Sequence, residues 1–358
     1  MDREARLELM DRSPAASPPP IVNSIHWPTF WQSADRILLA PMEGVVDSVM
    51  RDVVTRIGGV DLCVTEFIRV TDRLLPLNDY RKYCPELFAQ SGSRTRAGIP
   101  VLVQFLGGKA APLAENAAYA ASLGAPGIDL NFGCPAKTVN RHDGGATLLK
   151  NPERIHEIVA AVRKATPPHL PVSAKVRLGF ESKDRHIEIA QAAESGGASW
   201  LTVHARTRDE GYRPPAHWEY IAKMREKVAI PVIANGEIWN RADYDRCREV
   251  SGSRHVMIGR GLMSKPDLAR ELRQFNLPSK PQPQAREWSE TLAWLIDFAN
   301  LSREYRHEQY AVCRVKQWLK SMARDSEPLA LTFNEIKTFQ NLEPILQHLK
   351  SLKLNSTD

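Results

Sequence analysis

The segment Gly127-Ile128-Asp129-Leu130-Asn131-Phe132-Gly133-Cys134-Pro135 is a short apolar run that ends in polar residues. The same arrangement occurs eight times between residues 37 and 261, with enough chain between the runs for a helix and its loops. The runs are Ile37–Ala40, Asp61–Thr65, Pro100–Phe105, Gly127–Asn131, Pro171–Val176, Ser199–Val203, Pro231–Ala234 and His255–Ile258. Alternating strands and helices are indicated, with strands covered on both faces. Eight such units over about 230 residues predict a (β/α)8 barrel rather than an open doubly wound sheet.

Polar residues, with a few glycines and other small groups, lie at or just after the carboxyl end of every predicted strand. In chain order they are Pro41, Met42, Glu43 and Gly44; Glu66 and Arg69; Gln104; Asn131 and Cys134; Lys175 and Arg177; His204 and Arg206; Asn235, Gly236 and Glu237; and Gly259, Arg260 and Gly261. Loop starts are often polar, which explains one or two of these sets but not eight. Because barrel active sites form at the carboxyl ends of the strands, we expect these side chains to converge on one site.

Composition restricts the class of protein. The chain has 358 residues, a formal charge of +6 and five cysteines without a CxxC pair, so no zinc or iron–sulfur site is expected. A scattered, odd cysteine count is typical of a reducing cytoplasm. No apolar run approaches the roughly 20 residues that span a bilayer. Residues 1–35 are rich in proline and lack a hydrophobic signal core, which predicts a mostly disordered extension before a barrel at 36–275.

The composition changes after residue 275. Prolines at 278, 281 and 283 indicate a linker, and beyond them apolar residues recur at helical spacing. We therefore predict an all-helical domain over residues 285–352. Arg314, Gln317, Lys320 and Arg324 are spaced to share one face of a helix, which fits either a solvated face or a surface for phosphates.

Residues after the last two strands indicate a phosphate site. Gly259-Arg260-Gly261 and Asn235-Gly236-Glu237 combine glycines, which let backbone N–H groups approach an anion, with an arginine. Each tripeptide alone also fits an ordinary turn. No GxGxxG follows any strand, so a Rossmann-type dinucleotide site is not indicated.

Three further residues fit a flavin cofactor, and a fourth fits a general acid. Lys175 lies within an apolar strand, where it suits either the N1/O2 edge of a flavin or a structural salt bridge. Gln104 can bond the pyrimidine edge of a flavin, and His204 is either a cofactor contact or a core histidine. Cys134 is a thiol that is mostly protonated at neutral pH and can act as a general acid, although by itself it also fits a structural role.

Taken together, these motifs resemble the tRNA-dihydrouridine synthases over residues 37–350. The resemblance is carried by Leu39–Val45, Val103–Gly107, Asp129–Pro135, Lys175–Gly179, Val203–Thr207, Ile233–Glu237 and Met257–Gly261. Its most specific element is Asn131-x-x-Cys134-Pro135 followed by Lys137–Asn140 and Gly144–Ala146. Pro41–Gly44, Thr65–Arg69 and Arg314–Leu319 are similar to the bacterial branch that modifies uridine 16.

The resemblance implies a monomeric enzyme in which FMN, reduced by NADPH, delivers hydride to C6 of a D-loop uridine of tRNA and Cys134 protonates C5. It implies that FMN is bound by Pro41, Met42, Glu43, Gln104, Lys175, His204, Asn235, Gly236, Glu237, Gly259 and Arg260. It implies that tRNA is bound by Arg69, Asn131, Arg177, Arg314, Lys316 and Gln317, the last three in the helical domain.

Two alternatives remain at this stage. An FMN barrel that reduces a free pyrimidine or an enone would leave the basic helical domain without a purpose. A barrel that binds RNA without catalysis would not need Gln104, Lys175, Cys134 and Arg260 together.

Overall fold

Eight parallel strands form a closed ring in the computed structural model, which describes residues 25–90, 92–141, 143–275 and 288–354. They are β1 Ile37–Leu39, β2 Leu62–Val64, β3 Val101–Leu106, β4 Ile128–Asn131, β5 Val172–Arg177, β6 Trp200–His204, β7 Val232–Asn235 and β8 Val256–Ile258. Each strand pairs in parallel with the next, and β8 closes the ring on β1 through Leu38 and Met257. The predicted (β/α)8 barrel is confirmed.

Eleven α-helices of the described residues precede, connect or follow these strands. They are α1 Trp27–Ser33, α2 Ser48–Ile57, α3 Leu77–Tyr83, α4 Ala110–Ser122, α5 Lys137–Arg141, α6 Pro152–Ala165, α7 His186–Ser195, α8 Trp218–Arg225, α9 Arg241–Ser251, α10 Arg260–Ser264 and α11 Leu268–Phe275. A two-residue strand, Ile68–Arg69, extends the ring beside the carboxyl end of β3. None of the described helices is long and apolar enough to cross a bilayer.

The first helix closes the amino-terminal end of the barrel. Trp27 and Trp31 are four residues apart, so both face the barrel, where their rings lie 5.3 Å and 4.9 Å from the ring of Trp200 at the start of β6. The prediction of a mostly disordered extension over residues 1–35 is therefore wrong for Trp27–Ser33, because burial of two large aromatic side chains stabilises a helix that proline-rich composition does not reveal. Residues 1–24 lie outside the described residues.

The described residues after the barrel, 288–354, form four α-helices, as expected for the segment after residue 285: α12 Trp288–Tyr305, α13 Glu308–Met322, α14 Glu327–Ile336 and α15 Leu342–Leu354. Helix α12 packs against α2, and α13 packs against α10. The buried residues of these helices belong to the same apolar cluster as the residues between the strands and the surrounding helices of the barrel, whereas the interior of the barrel forms a separate cluster. The helical segment is therefore held directly against the strand ends that carry the predicted site. The predicted linker prolines lie outside the described residues.

Candidate active site

A cavity of about 510 Å³ opens at the carboxyl ends of the strands. Every residue predicted to bind the cofactor lines it, and so do Asn131, Cys134 and Arg177. Ala40 and Met257, which line the cavity, belong to the apolar cluster inside the barrel. The topology explains why the predicted residues meet, because the carboxyl ends of parallel strands in a closed ring surround one opening.

Lys175 of β5 brings a positive charge to the cavity wall. Its Nζ donates a hydrogen bond to Asn235 Oδ1 at 3.1 Å, and the Asn235 amide is oriented by donating to the carbonyl of Met257. No carboxylate in the described part of the chain forms an ion pair with Lys175, so the alternative of a structural salt bridge is not observed. Burial lowers the pKa of Lys175 to about 8. A ligand that carries negative charge here would restore the protonated form.

The ends of β7 and β8 approach each other closely. A Cβ on Gly236, whose φ is +123°, would lie 3.0 Å from the His204 ring, and a Cβ on Gly261 would lie 2.1 Å from the carbonyl oxygen of Ile238. Arg260 donates to Glu237 at 2.6 Å, and Arg206 pairs with the same carboxylate at 2.9 Å. Glycines and the guanidinium group of Arg260 thus border one end of the cavity, and Arg206 supports Glu237 from behind it.

Cys134 lies half-buried in the turn after β4. Its carbonyl accepts from the amide of Ala146 at 3.1 Å, and its own N–H donates to Asn131 Oδ1 at 3.0 Å. Burial raises the pKa of the thiol, and the nearby Glu43 carboxylate raises it further, while Arg177 and Lys175 oppose the shift. The protonated thiol is the favoured form, as a general acid requires.

Two aromatic residues at the mouth of the cavity were not anticipated from the sequence. Tyr212 is 54% exposed, and the guanidinium groups of Arg177 and Arg260 lie 5.2 Å and 5.1 Å from its ring. Trp239 lies between Arg260, at 5.0 Å, and Arg324 of the helical segment, at 3.6 Å. We call Tyr212, Trp239 and these three arginines the aromatic rim. No local sequence motif reveals the aromatic rim, because its residues are far apart in the sequence.

The structure corrects the predicted exposure of Arg314. This residue is only 5% exposed, and its guanidinium donates to the carbonyls of Gly44 and Val45 at 2.8 Å and 2.6 Å and pairs with Asp47. Gln317 also donates to the Gly44 carbonyl, at 3.1 Å. The prediction that Arg314 contacts tRNA is therefore wrong in its basis, because the charge holds the loop after β1 instead of facing solvent.

The other predicted tRNA residues have varied positions. Arg177 lines the cavity but is 2% exposed and donates to the carbonyls of Gly133, Thr207 and Gly211. Arg69 is half-buried on the short strand beside β3 and does not line the cavity. Lys316 donates to the Phe339 carbonyl within the helical segment. Exposed positive charge on α13 and just after it comes from Lys320 and Arg324.

Comparison with known proteins agrees with this geometry. A family model described as dihydrouridine synthase matches residues 38–354. A protein of Aquipseudomonas alcaligenes named tRNA-dihydrouridine(16) synthase is 52% identical over 88% of this chain and 98% of its own length. Proteins with the same name from Shewanella oneidensis and Neisseria meningitidis are 46% and 44% identical, over 88% and 89% of this chain and 97% and 95% of their own lengths.

One solved structure shares the barrel. It is a complex of 2-naphthoyl-CoA reductase with 2-naphthoyl-CoA, with a TM-score of 0.52 and 10% identity, and the match covers 67% of this chain and 50% of that one. At this level of identity the likeness concerns the fold alone.

Proposed function

Because this chain belongs to the dihydrouridine synthase family, we propose that it reduces the C5=C6 bond of uridine 16 in the D-loop of tRNA, with FMN as cofactor and NADPH as reductant. The observation that carries the proposal is the presence, in one cavity, of a half-buried lysine that forms no ion pair with any described carboxylate, an end bordered by glycines and Arg260, and a thiol whose raised pKa keeps it protonated. The position within tRNA rests on the names of the relatives.

The cavity residues fit FMN. Lys175 offers a cation where negative charge gathers on a reduced flavin, and the Gln104 amide can bond the pyrimidine edge. Gly236, Gly259 and Arg260 suit the phosphate, and Pro41, Met42, Glu43, His204, Asn235 and Glu237 complete the walls. Bound FMN supplies the hydride that the reaction needs.

The residues of the chain account for the remaining chemistry. The C5=C6 bond of uracil is conjugated to the C4 carbonyl, so hydride addition at C6 leaves negative charge that reaches C5. Cys134 then gives its proton to C5, which balances the addition of one hydride and one proton. Its raised pKa favours recovery of the thiol by proton uptake from water. Asn131, which lines the cavity beside Cys134, has an amide to hold a carbonyl of the base.

The RNA must present a base outside its stack for this reaction. The exposed ring of Tyr212 at the mouth of the cavity is suited to stacking, and the exposed arginines of the aromatic rim, Arg260 and Arg324, are suited to phosphates. We propose that tRNA lies between this rim and the exposed face of the helical segment, with Gln317, Lys320 and Arg324 on that face and Arg69 beyond it. Because tRNA is the substrate, we infer a cytoplasmic enzyme.

The main alternative is a barrel reductase of a free pyrimidine or an enone. The test uses purified enzyme whose flavin has been reduced under anaerobic conditions. We expect unmodified tRNA to reoxidise the flavin and uracil not to do so, with dihydrouridine appearing at position 16. The Cys134→Ala variant is the control, because it should bind FMN and accept electrons from NADPH without forming product. Purification of a protein without affinity for FMN, or oxidation by uracil alone, would refute the proposal.

A further inference from the structure

A chain of hydrogen bonds runs beneath the cavity, and its buried acid has no part in the reaction proposed above. Asp129 of β4 is 2% exposed, and Gln104 and Ser173 on the two neighbouring strands are fully buried. Ser173 Oγ donates to Asp129 Oδ1 at 2.5 Å, and Gln104 Nε2 donates to Asp129 Oδ2 at 2.6 Å. Asn131 Nδ2 in turn donates to Gln104 Oε1 at 2.8 Å.

This chain of hydrogen bonds ends at the backbone of the turn that carries Cys134. Asn131 Oδ1 accepts from the N–H groups of Gly133 and Cys134, both at 3.0 Å. Four hydrogen bonds therefore connect Asp129 to the turn at Gly133 and Cys134: one from Gln104 to Asp129, one from Asn131 to Gln104, and two from the N–H groups of the turn to Asn131.

The two ends of this hydrogen-bond chain fix which side of the Gln104 and Asn131 amides donates and which side accepts. A backbone N–H can only donate, and an ionised carboxylate can only accept. The carboxylate of Asp129 requires the NH2 group of Gln104, so the carbonyl of Gln104 faces Asn131. The NH2 group of Asn131 must then face Gln104, which leaves its carbonyl for the two N–H groups of the turn. If either amide were reversed, a donor would face a donor or an acceptor would face an acceptor.

Burial of this carboxylate is costly, so its presence needs a reason. Burial raises the pKa of Asp129, while the hydrogen bonds from Ser173 and Gln104 and the charge of Lys175 lower it. An apolar side chain would fill the interior of a barrel without such a cost. Ser173 and Gln104, which contact the carboxylate at this depth, are neutral and do not compensate its charge.

We propose that Asp129 is a positioning residue, which sets the polarity of Gln104 and Asn131 and through them holds the turn that carries Cys134. The inference rests on the proposed function for the role of Cys134. In the described residues, the Gln104 and Asn131 amides each keep one N–H that this chain does not use. The fixed polarity therefore presents donors, not acceptors, to the cofactor and to the base.

The test separates polarity from charge with near-isosteric variants. Asp129→Asn can keep its carbonyl towards Gln104 only if its NH2 group faces Ser173, whose hydroxyl can accept. We expect Asp129→Asn and Ser173→Ala each to form dihydrouridine within about threefold of wild type. The double variant lacks this acceptor, so we expect its kcat to fall by about tenfold or more, the effect of one misdirected buried hydrogen bond, with KM for tRNA changed much less.

A second measurement follows the turn itself without using tRNA. Iodoacetamide alkylation of Cys134 is measured against pH by mass spectrometry in the full chain, in a Cys313→Ser background, because Cys313 is the exposed cysteine and the other three are buried. We expect the double variant to shift the alkylation profile of Cys134 and each single variant to leave it near wild type.

Three outcomes overturn the proposal. If Asp129→Asn alone lowers kcat as much as the double variant does, the role belongs to the charge of Asp129. If the double variant has wild-type kcat, the polarity of the amides is not needed. If its loss equals the sum of the single losses and the alkylation profile is unchanged, the two residues contribute only to folding. A wild-type enzyme that makes no dihydrouridine would refute the proposed function and leave the alkylation result to stand by itself.

Discussion

Lys175 has no ion-pair partner among the described residues, so its charge depends on what the cavity binds. Burial lowers its pKa to about 8, and an anionic ligand would raise that pKa. Below pH 8 the lysine is already protonated, whereas above pH 8 binding must take up a proton. We therefore expect the Kd for FMN to rise by up to about tenfold per pH unit above 8.

Flavin fluorescence titrations between pH 7 and pH 9 measure this dependence. The matched control is Lys175→Met, which should bind FMN more weakly and with little change over this range. The second ionisation of the phosphate, near pH 6, is complete throughout. Parallel curves for the two proteins would show that Lys175 does not meet the flavin.

Cys134 should determine the alkaline limit of product formation. An acid must be protonated to act, so its contribution is present below its pKa and is lost as pH rises through it. Because burial raises the pKa of this thiol, the loss should fall above the ordinary value of about 8.5. Cys134→Ala should lower product formation by at least about 10²-fold while NADPH still reduces the flavin. Single-turnover assays with saturating FMN check both points, and an unchanged rate would remove Cys134 from the mechanism.

The convergence of the residues proposed to bind the cofactor on one cavity could be predicted, because each lies at or near the carboxyl end of a strand and these ends meet by topology. Tyr212 and Trp239 could not be, since they lie several residues into loops after β6 and β7. Their side chains reach the mouth of the cavity through the course of those loops, which no periodicity encodes. Asp129 was visible only as part of a motif, because its role depends on neighbours on two other strands.

Helix α13 shows why its arginine was placed on the wrong face. Ala311, Arg314, Val315 and Trp318 follow the three- and four-residue spacing of one buried stripe. A charged residue within such a stripe is commonly assigned to solvent. Here the loop Gly44–Asp47 covers it and supplies two carbonyls and a carboxylate, a neighbour that the helix sequence does not reveal.

This contact should matter for stability and for the cofactor. Arg314→Ala leaves the buried Asp47 carboxylate without its cation, so we expect the free energy of unfolding to fall by about 3–5 kcal/mol. Flavin affinity should fall too, since Met42 and Glu43 lie in the same loop. Lys320→Ala, on the exposed face of α13, should change stability by less than about 0.5 kcal/mol. Urea denaturation and FMN titration of both variants measure these effects. Equal free energies of unfolding for the two variants would show that the loop does not need the contact with Arg314.

At the scale of the whole molecule, α1 contributes to the stability of the barrel from the end opposite the cavity. We expect Trp31→Ala to lower the free energy of unfolding by about 3–5 kcal/mol, through loss of packing against Trp200. The kcat of the folded enzyme should stay near wild type. Gln32→Ala, exposed on the same helix, is the control. A Trp31→Ala variant with full stability would show that α1 does not pack there.

The helical segment and the barrel should share the binding of RNA. We expect alanine at both Lys320 and Arg324 to raise the KM for tRNA and leave flavin content unchanged. Each lost phosphate contact should flatten the dependence of log affinity on log salt by roughly 0.7 to 0.9. Binding isotherms at several salt concentrations provide the measurement. Identical slopes for the double variant and wild type would move the RNA path towards Arg69 and Arg177.

The layer of Trp27, Trp31 and Trp200 gives the barrel a blind end. Reductant and RNA must then use the same opening, and a base in contact with the flavin excludes a nicotinamide from it. Turnover should follow a ping-pong order, with parallel lines in double-reciprocal plots of initial velocity. High concentrations of unmodified tRNA should slow reduction of the flavin by NADPH, because the cavity can hold only one of the two substrates at a time.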